Sequence, residues 1–174
     1  MRNKRQLFRI LQIIVIVLLI VKFLPVSGPN LKQAHITKVV DGDTVYTDKG
    51  KKIRIIGLNA PERGEEELAE EARERAEDLL LYKVIYLEED IEKKDQYDRD
   101  LRYIWIEKPN NFTYEEIKEK NFSAILISEG LAKPYNFKPN TKYSDVFLKL
   151  GKEAKKNKTG MWELNEEGTT RGDI

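Results

Sequence analysis

The chain opens with Arg2, Lys4, Arg5 and Arg9, followed by an apolar run in which residues 13–21 carry no polar side chain. With Gln12 and Lys22 tolerated, the run covers residues 10–26. A membrane span needs about 20 apolar residues, so the run is short for a span and slightly long for a signal-peptide core. A segment apolar on every face does not suit the surface of a globular domain. No A-x-A-like cleavage site follows, and Pro25-Val26-Ser27-Gly28 is a poor substitute. The pattern predicts an apolar N-terminal helix that serves as an uncleaved signal anchor, joined by a linker to Asn30. A cleaved signal is the alternative. Basic residues ahead of such an anchor stay in the cytoplasm. The remainder of a single-pass chain then lies outside, or is secreted if the leader is removed.

Beyond the linker the period shortens. Residues 35–40 read as a strand, Asp41-Gly42 as a turn and residues 44–47 as a second strand. Asp48-Lys49-Gly50 turns again into a third strand over 52–58, with Gly57 marking a bulge or bend. In 65–81 the apolar positions Leu68, Ala72, Ala76, Leu79 and Leu80 recur near 3.6, which predicts a helix. Residues 84–87 and 101–106 read as strands. The polar stretch 109–120 reads as an insertion with one helical turn. A short helix over 122–129 ends at Gly130, and a last helix over 143–157 turns Val146, Leu150 and Ala154 inward. Three hairpin-like strands, a helix, two strands and further helices predict a β-rich α+β domain. Its architecture is a five-stranded OB-fold barrel with about three helices. Residues 165–174 read as a flexible tail.

Composition changes this picture in two ways. The net charge of +1 hides an asymmetry: five of the 31 basic side chains and none of the 30 acidic ones fall in the first 30 residues, so the rest of the chain is four charges negative. An acidic domain attracts phosphate backbones poorly through its overall field; any positive charge for that purpose must be focused at a site. The absence of Cys and the single His, His35 in a strand, argue against a zinc centre, a disulfide framework or a histidine base.

Several segments carry candidate chemistry, and each has a plain structural reading beside it. Asp41-Gly42-Asp43-Thr44 suits a hairpin turn with solvated acids. Arg54, between Ile53 and Ile55, either faces solvent or is buried against an anion, because a buried guanidinium is costly without one. Glu62 in Asn59-Ala60-Pro61-Glu62 suits the first turn of a helix, and Asp95–Arg99 suits a charged loop. Lys149, Lys152, Lys155, Lys156 and Lys158 form either a solvated helix face or a local positive patch.

Taken together, VVDGDTV (39–45), IRIIGLNAPE (53–62), DQYDRDLRYIW (95–105), SEGLAKPYNFKPN (128–140) and KKNKTGMW (155–162) resemble the staphylococcal nuclease family in order and spacing. The resemblance covers residues 34–162 and places a staphylococcal-nuclease-like domain at 31–164. It implies a calcium-dependent endonuclease acting on DNA, RNA or both, and a monomer is expected. Arg54 and Arg99 match the two arginines that grip the phosphate, and Glu62 matches the glutamate described as general base. Asp43 matches a carboxylate ligand of the calcium ion and Asp41 a nearby acid. The second calcium carboxylate of the type protein is Asn59 here. Ala60 stands where a backbone carbonyl ligates, so its side chain matters little there. Tyr135 and Phe137 pair with the family's base-stacking aromatics, across a segment one residue shorter than the type protein's. The 109–120 insertion is longer than the corresponding loop. A non-catalytic binding module of the same fold is the alternative, but such domains typically lack the Arg/Glu/Arg set.

Overall fold

The computed structural model describes residues 30–64 and 66–174, with isolated positions 6, 10, 12 and 14. The predicted N-terminal apolar helix lies outside the described residues. Among those described, no helix is long and apolar enough to cross a membrane.

Strand β1 (Leu31–Val39) starts earlier than the sequence pattern suggests, at Leu31. Its first half, Leu31–His35, pairs antiparallel with β5 (Val84–Glu88), and its second half pairs with β2 (Thr44–Thr47). A register irregularity between Ile36 and Lys38 lets one strand serve both partners. β2 turns into β3 (Lys52–Ile55), which runs parallel to β6 (Asp100–Trp105). β6 returns antiparallel to β5, closing the five-stranded barrel in the order β1-β2-β3-β6-β5. Parallel partners cannot be joined by a hairpin; here a helix and β5 intervene.

The predicted third strand divides at Ile56. Gly57 has φ 93, and a Cβ there would lie 2.2 Å from the Phe147 ring, so the bend requires glycine. Beyond it, β4 (Gly57–Asn59) leaves the barrel and pairs with β7 (Lys133–Tyr135), a short strand with no periodic signal.

Five helices occur among the described residues, two more than predicted. α1 (Ala69–Leu80) starts later than the periodicity suggests, because Leu68 is left-handed at φ 64. Ala69, Ala72, Ala76 and Leu80 are its buried face, while Leu79 is half-buried. The insertion forms α2 (Tyr114–Lys120), a full helix capped by the Thr113 side chain. The Asn121 side chain caps α3 (Phe122–Ser128). α4 (Ser144–Lys156) buries Phe147, Leu150, Gly151 and Ala154, with Val146 only half-buried. α5 (Met161–Leu164) follows.

The core is the barrel interior, filled by Ile36, Val45, Ile53, Ile55, Ile85, Leu101 and Ile104, and sealed by α1, α3 and α4. Burying each such aliphatic side chain contributes roughly 1.5–3 kcal/mol. A smaller cluster holds Ala154, Met161 and Trp162 with Leu68 and Ile174.

The last residues, read as a flexible tail from their polar composition, make specific contacts with the rest of the domain. Thr170 is buried, the Asp173 N–H donates to the Pro134 carbonyl at 2.9 Å, and the Asp173 carboxylate accepts from the Asn136 N–H at 2.7 Å. The segment is thereby fastened along β7 and brought over the end of β4.

Candidate active site

The turn after β1 places the first acids. Gly42 lies so close to α1 and the loop after β4 that a Cβ would sit 2.6 Å from the Ala60 Cβ. Beside it Asp43 is buried and Asp41 half-buried. The Asp41 carboxylate accepts the Asp43 N–H at 3.0 Å, so one acid orients the other. The Asp43 carboxylate is buried and takes three donors. They are the Thr44 hydroxyl at 2.9 Å, the Ala60 N–H at 3.2 Å and Arg54 Nη2 at 2.9 Å. Burial raises its pKa to about 6, and the Arg54 cation opposes that rise.

Arg54 sits on β3 and is only 4% exposed, so of the two sequence readings the buried one holds. Its Nη1 donates to the carbonyls of Ile55 at 2.6 Å and Leu58 at 3.1 Å, both made available by the bend at Gly57. Its Nη2 meets Asp43 and also donates to Asn59 Oδ1 at 3.1 Å. The Phe137 ring covers the guanidinium at 4.8 Å, and Tyr135 packs edge-on to Phe137 at 4.8 Å. Burial lowers the Arg54 pKa. Asp43, Asp41 and Glu62 counteract this, while Arg99 adds to it. Four of the sequence-predicted charged residues therefore act on one guanidinium.

Glu62 is exposed at the rim. Its N–H donates to Glu66 Oε2 at 2.6 Å, but among the described residues its own carboxylate has no hydrogen bond or ion pair. α1 begins only at Ala69, so Glu62 is not one of its first-turn acids. Arg99 precedes β6 in a tight turn where Asp98 is left-handed at φ 61. Asp95 holds it through two bonds, from Arg99 Nε at 2.6 Å and from its N–H at 3.0 Å. Burial raises the Asp95 pKa, but the Arg99 and Tyr97 donors outweigh it and the net shift is downward. The Arg99 terminal nitrogens have no protein acceptor among the described residues, and its guanidinium lies 5.4 Å from the exposed Tyr97 ring.

Metal-holding capacity is limited to oxygen donors. Among the described residues no group of three or more His, Cys, Asp or Glu is arranged to hold an ion. The Asp43 carboxylate and Asn59 Oδ1 nevertheless converge on the same cationic nitrogen, with the Ala60 carbonyl next in sequence. That set, with Asp41 behind it, suits a hard cation such as Ca²⁺ and no soft one.

Three contributors escaped the sequence reading. Asp95 could have been found as an acid four positions before Arg99. Thr44, as the donor to Asp43, carries no signal beyond adjacency. Thr170 carries none at all: it accepts from Asn59 Nδ2 at 2.8 Å and donates to the Ala60 carbonyl at 3.4 Å, from the far end of the chain. The lysines of α4 are spread over its solvent side. Lys149 lies over the Tyr114 ring at 4.0 Å and Lys155 over Trp162 at 5.1 Å.

A sequence profile described as "Staphylococcal nuclease homologue" matches residues 52–164. A thermonuclease of Staphylococcus hyicus is 31% identical, over 88% of this chain and 94% of its own. A thermonuclease of Staphylococcus intermedius is 30% identical, over 86% and 92%. Endonuclease YncB of Bacillus subtilis is 29% identical, over 85% and 71%.

Proposed function

The chain belongs to the staphylococcal nuclease family, and from that premise we propose that it is a metal-dependent endonuclease hydrolysing the phosphodiester bonds of DNA, RNA or both. The names of its thermonuclease and endonuclease relatives support a nuclease. One observation carries the reading to this site: the buried Arg54 guanidinium meets the Asp43 carboxylate at 2.9 Å and Asn59 Oδ1 at 3.1 Å through one nitrogen.

The proposed roles follow from what each group has free. Arg54 is locked by two carbonyls and Asp43, so it presents a fixed positive charge that needs no reorganisation when charge develops on a phosphate. Arg99 is tied through Nε alone, which leaves its terminal nitrogens for bidentate contact with phosphate oxygens. Glu62 has an exposed, unengaged carboxylate, and taking a proton from an attacking water is the role proposed for it. Asp43, Asn59 and the Ala60 carbonyl would hold Ca²⁺, which when bound supplies a Lewis acid for the scissile phosphate. Tyr135 and Phe137 offer ring surface for a base, with Phe137 already committed to Arg54.

The basic flank and apolar run of the leader further lead us to propose a membrane-anchored protein with its barrel outside the cytoplasm. Protease added to intact cells should then degrade the barrel, and protection until lysis would count against it.

The direct test is turnover by the chain from Leu31 onward, which contains the whole barrel, on single-stranded DNA and on RNA with and without calcium. Cleavage abolished by a chelator and restored by calcium is expected. No cleavage of either polymer with any divalent ion would overturn the reading.

A further inference from the structure

Asn59 differs from a carboxylate in having two unlike ends, and something must decide which end faces the site. Its Oδ1 accepts from Arg54 Nη2 at 3.1 Å, on the same nitrogen that meets Asp43. Its Nδ2 donates to the Thr170 hydroxyl at 2.8 Å. That hydroxyl has one proton and two lone pairs. The proton goes to the Ala60 carbonyl, which can only accept, at 3.4 Å. The lone pairs are what remain for Asn59, and they require a donor. A flipped amide would demand the same proton at Thr170 and would turn N–H groups toward a guanidinium that can only donate.

Thr170 is not a loose residue that drifted there. It is 8% exposed. Behind it, Asp173 is bonded to Pro134 and Asn136, and Ile174 packs in the smaller core cluster. Gly172 lies so tightly against β7 that a Cβ would be 2.3 Å from the Lys133 Cβ. The terminal segment is thus held immediately beyond Thr170.

We propose that Thr170 is a positioning residue of the site: its hydroxyl fixes the polarity of the Asn59 carboxamide, so that Oδ1 is presented beside the Asp43 carboxylate. The C-terminal segment is then a wall of the site and not an appendage. This inference rests on the reading of the site as divalent-dependent, and its test separates the two.

Thr170→Val keeps the shape and removes the hydroxyl; Thr170→Ser keeps the hydroxyl. Both are made in the full chain and again in the Asn59→Asp background, where oxygen is presented either way. Calcium affinity is read by titration calorimetry with calcium chloride and a non-hydrolysable nucleotide, alongside the calcium dependence of turnover. The loss of one net hydrogen bond and of amide order should weaken calcium about fivefold to tenfold in Thr170→Val. Thr170→Ser should stay within about twofold of wild type. In the Asn59→Asp background the Val step should shrink to under about twofold. Nuclear magnetic resonance of the Asn59 side-chain amide gives a readout independent of metal: slow hydrogen exchange in wild type and in Thr170→Ser, fast exchange in Thr170→Val. Where thermal melts show that Thr170→Val does not fold, Thr170→Ala carries the same expectations.

Equal calcium affinity in Thr170→Val and wild type would overturn the inference. So would the same loss in both backgrounds, which would mean packing alone. Tighter calcium binding in Thr170→Val would overturn it in the other direction, with the hydroxyl competing for the Ala60 carbonyl. A wild-type chain that neither binds nor uses a divalent ion defeats the functional reading, and amide exchange alone then decides whether Thr170 orients Asn59.

Discussion

Among the carboxylates buried in this barrel, Glu88 and Asp43 are treated in opposite ways. Glu88, at the end of β5, is 1% exposed and saturated. Trp105 Nε1 donates to it at 2.7 Å, the Tyr143 hydroxyl contacts both oxygens at 3.0 Å and the Lys142 ammonium pairs with it. Asp43 is also buried and has as many partners, two neutral donors and one cation, but that guanidinium is shared with Asn59 and burial still lifts its pKa to about 6. A fully satisfied buried charge has nothing left to offer a ligand and serves the fold. An incompletely compensated one retains demand for positive charge, which suits a site that binds a cation.

Breaking the saturated region should cost most in stability and least in chemistry. Glu88→Ala strands the Trp105 N–H and the Tyr143 hydroxyl in the core. A loss of about 3–5 kcal/mol is expected in chemical denaturation. Turnover per folded molecule should stay near wild type. A large fall in turnover at full folding would mean that Glu88 shapes the site and the contrast is false.

The complementary damage belongs at the open region. Arg54→Ala, Glu62→Gln and Arg99→Ala should each reduce turnover about 100-fold or more. Their stabilities should differ, which sharpens the comparison further. Glu62→Gln and Arg99→Ala alter exposed or half-exposed groups and should melt near wild type. Arg54→Ala leaves Asp43 buried without its cation, so it should lower stability as well. Retained activity in all three would remove the site from consideration.

A smaller effect tests how much charge the open region lacks. Asn59→Asp adds a carboxylate beside Asp43 and should tighten calcium binding, by about tenfold after desolvation is subtracted. Calorimetry on the two proteins decides it. Unchanged affinity would place Asn59 outside the ligand set.

The barrel was largely legible because its signals are periodic. Short strand-forming runs between turns marked β2 and β6, and glycine marked the bend at Gly57, where a Cβ collides with Phe147. Boundaries were less legible where pairing overrides propensity. Leu31–Ala34 becomes strand only because β5 lies alongside, and β7 exists only because β4 needs a partner. Leu68 belongs to the 3.6 repeat yet sits left-handed outside α1, packed on the smaller cluster with Ile174. At the site, Arg54, Glu62 and Arg99 were visible as a spaced set, but whether Arg54 was buried could not be read from one strand. The C-terminal segment was the least legible. Its composition is that of a tail, and its order depends on a few specific bonds to residues far away in sequence.

The smallest prediction concerns a third carboxylate that lies between the two extremes. Glu89 follows Glu88 but points to the surface, where Lys32 at 2.9 Å, Lys93 at 3.1 Å and Arg102 at 3.5 Å surround it. Hydrogen bonds from Lys32 and then Lys93 pull its pKa from 4.5 to about 2. A carboxylate whose pKa is lowered by folding adds stability above its unfolded value and loses it as the pH falls through its folded value. The contribution should therefore be complete at neutral pH, begin to fade below about 4.5 and be gone near 2. Water screens such pairs, so about 1 kcal/mol is expected. Urea denaturation of wild type and Glu89→Gln across that window should give two curves that are separated at pH 7 and converge toward pH 2. Added salt should narrow the gap at pH 7, since partly exposed pairs are screened. For Glu88→Ala, salt should change little, because its deficit comes from donors sealed in the core. Salt sensitivity at Glu88 equal to that at Glu89 would show that the buried cluster is electrostatically open, and the distinction between a sealed and an open region would fail.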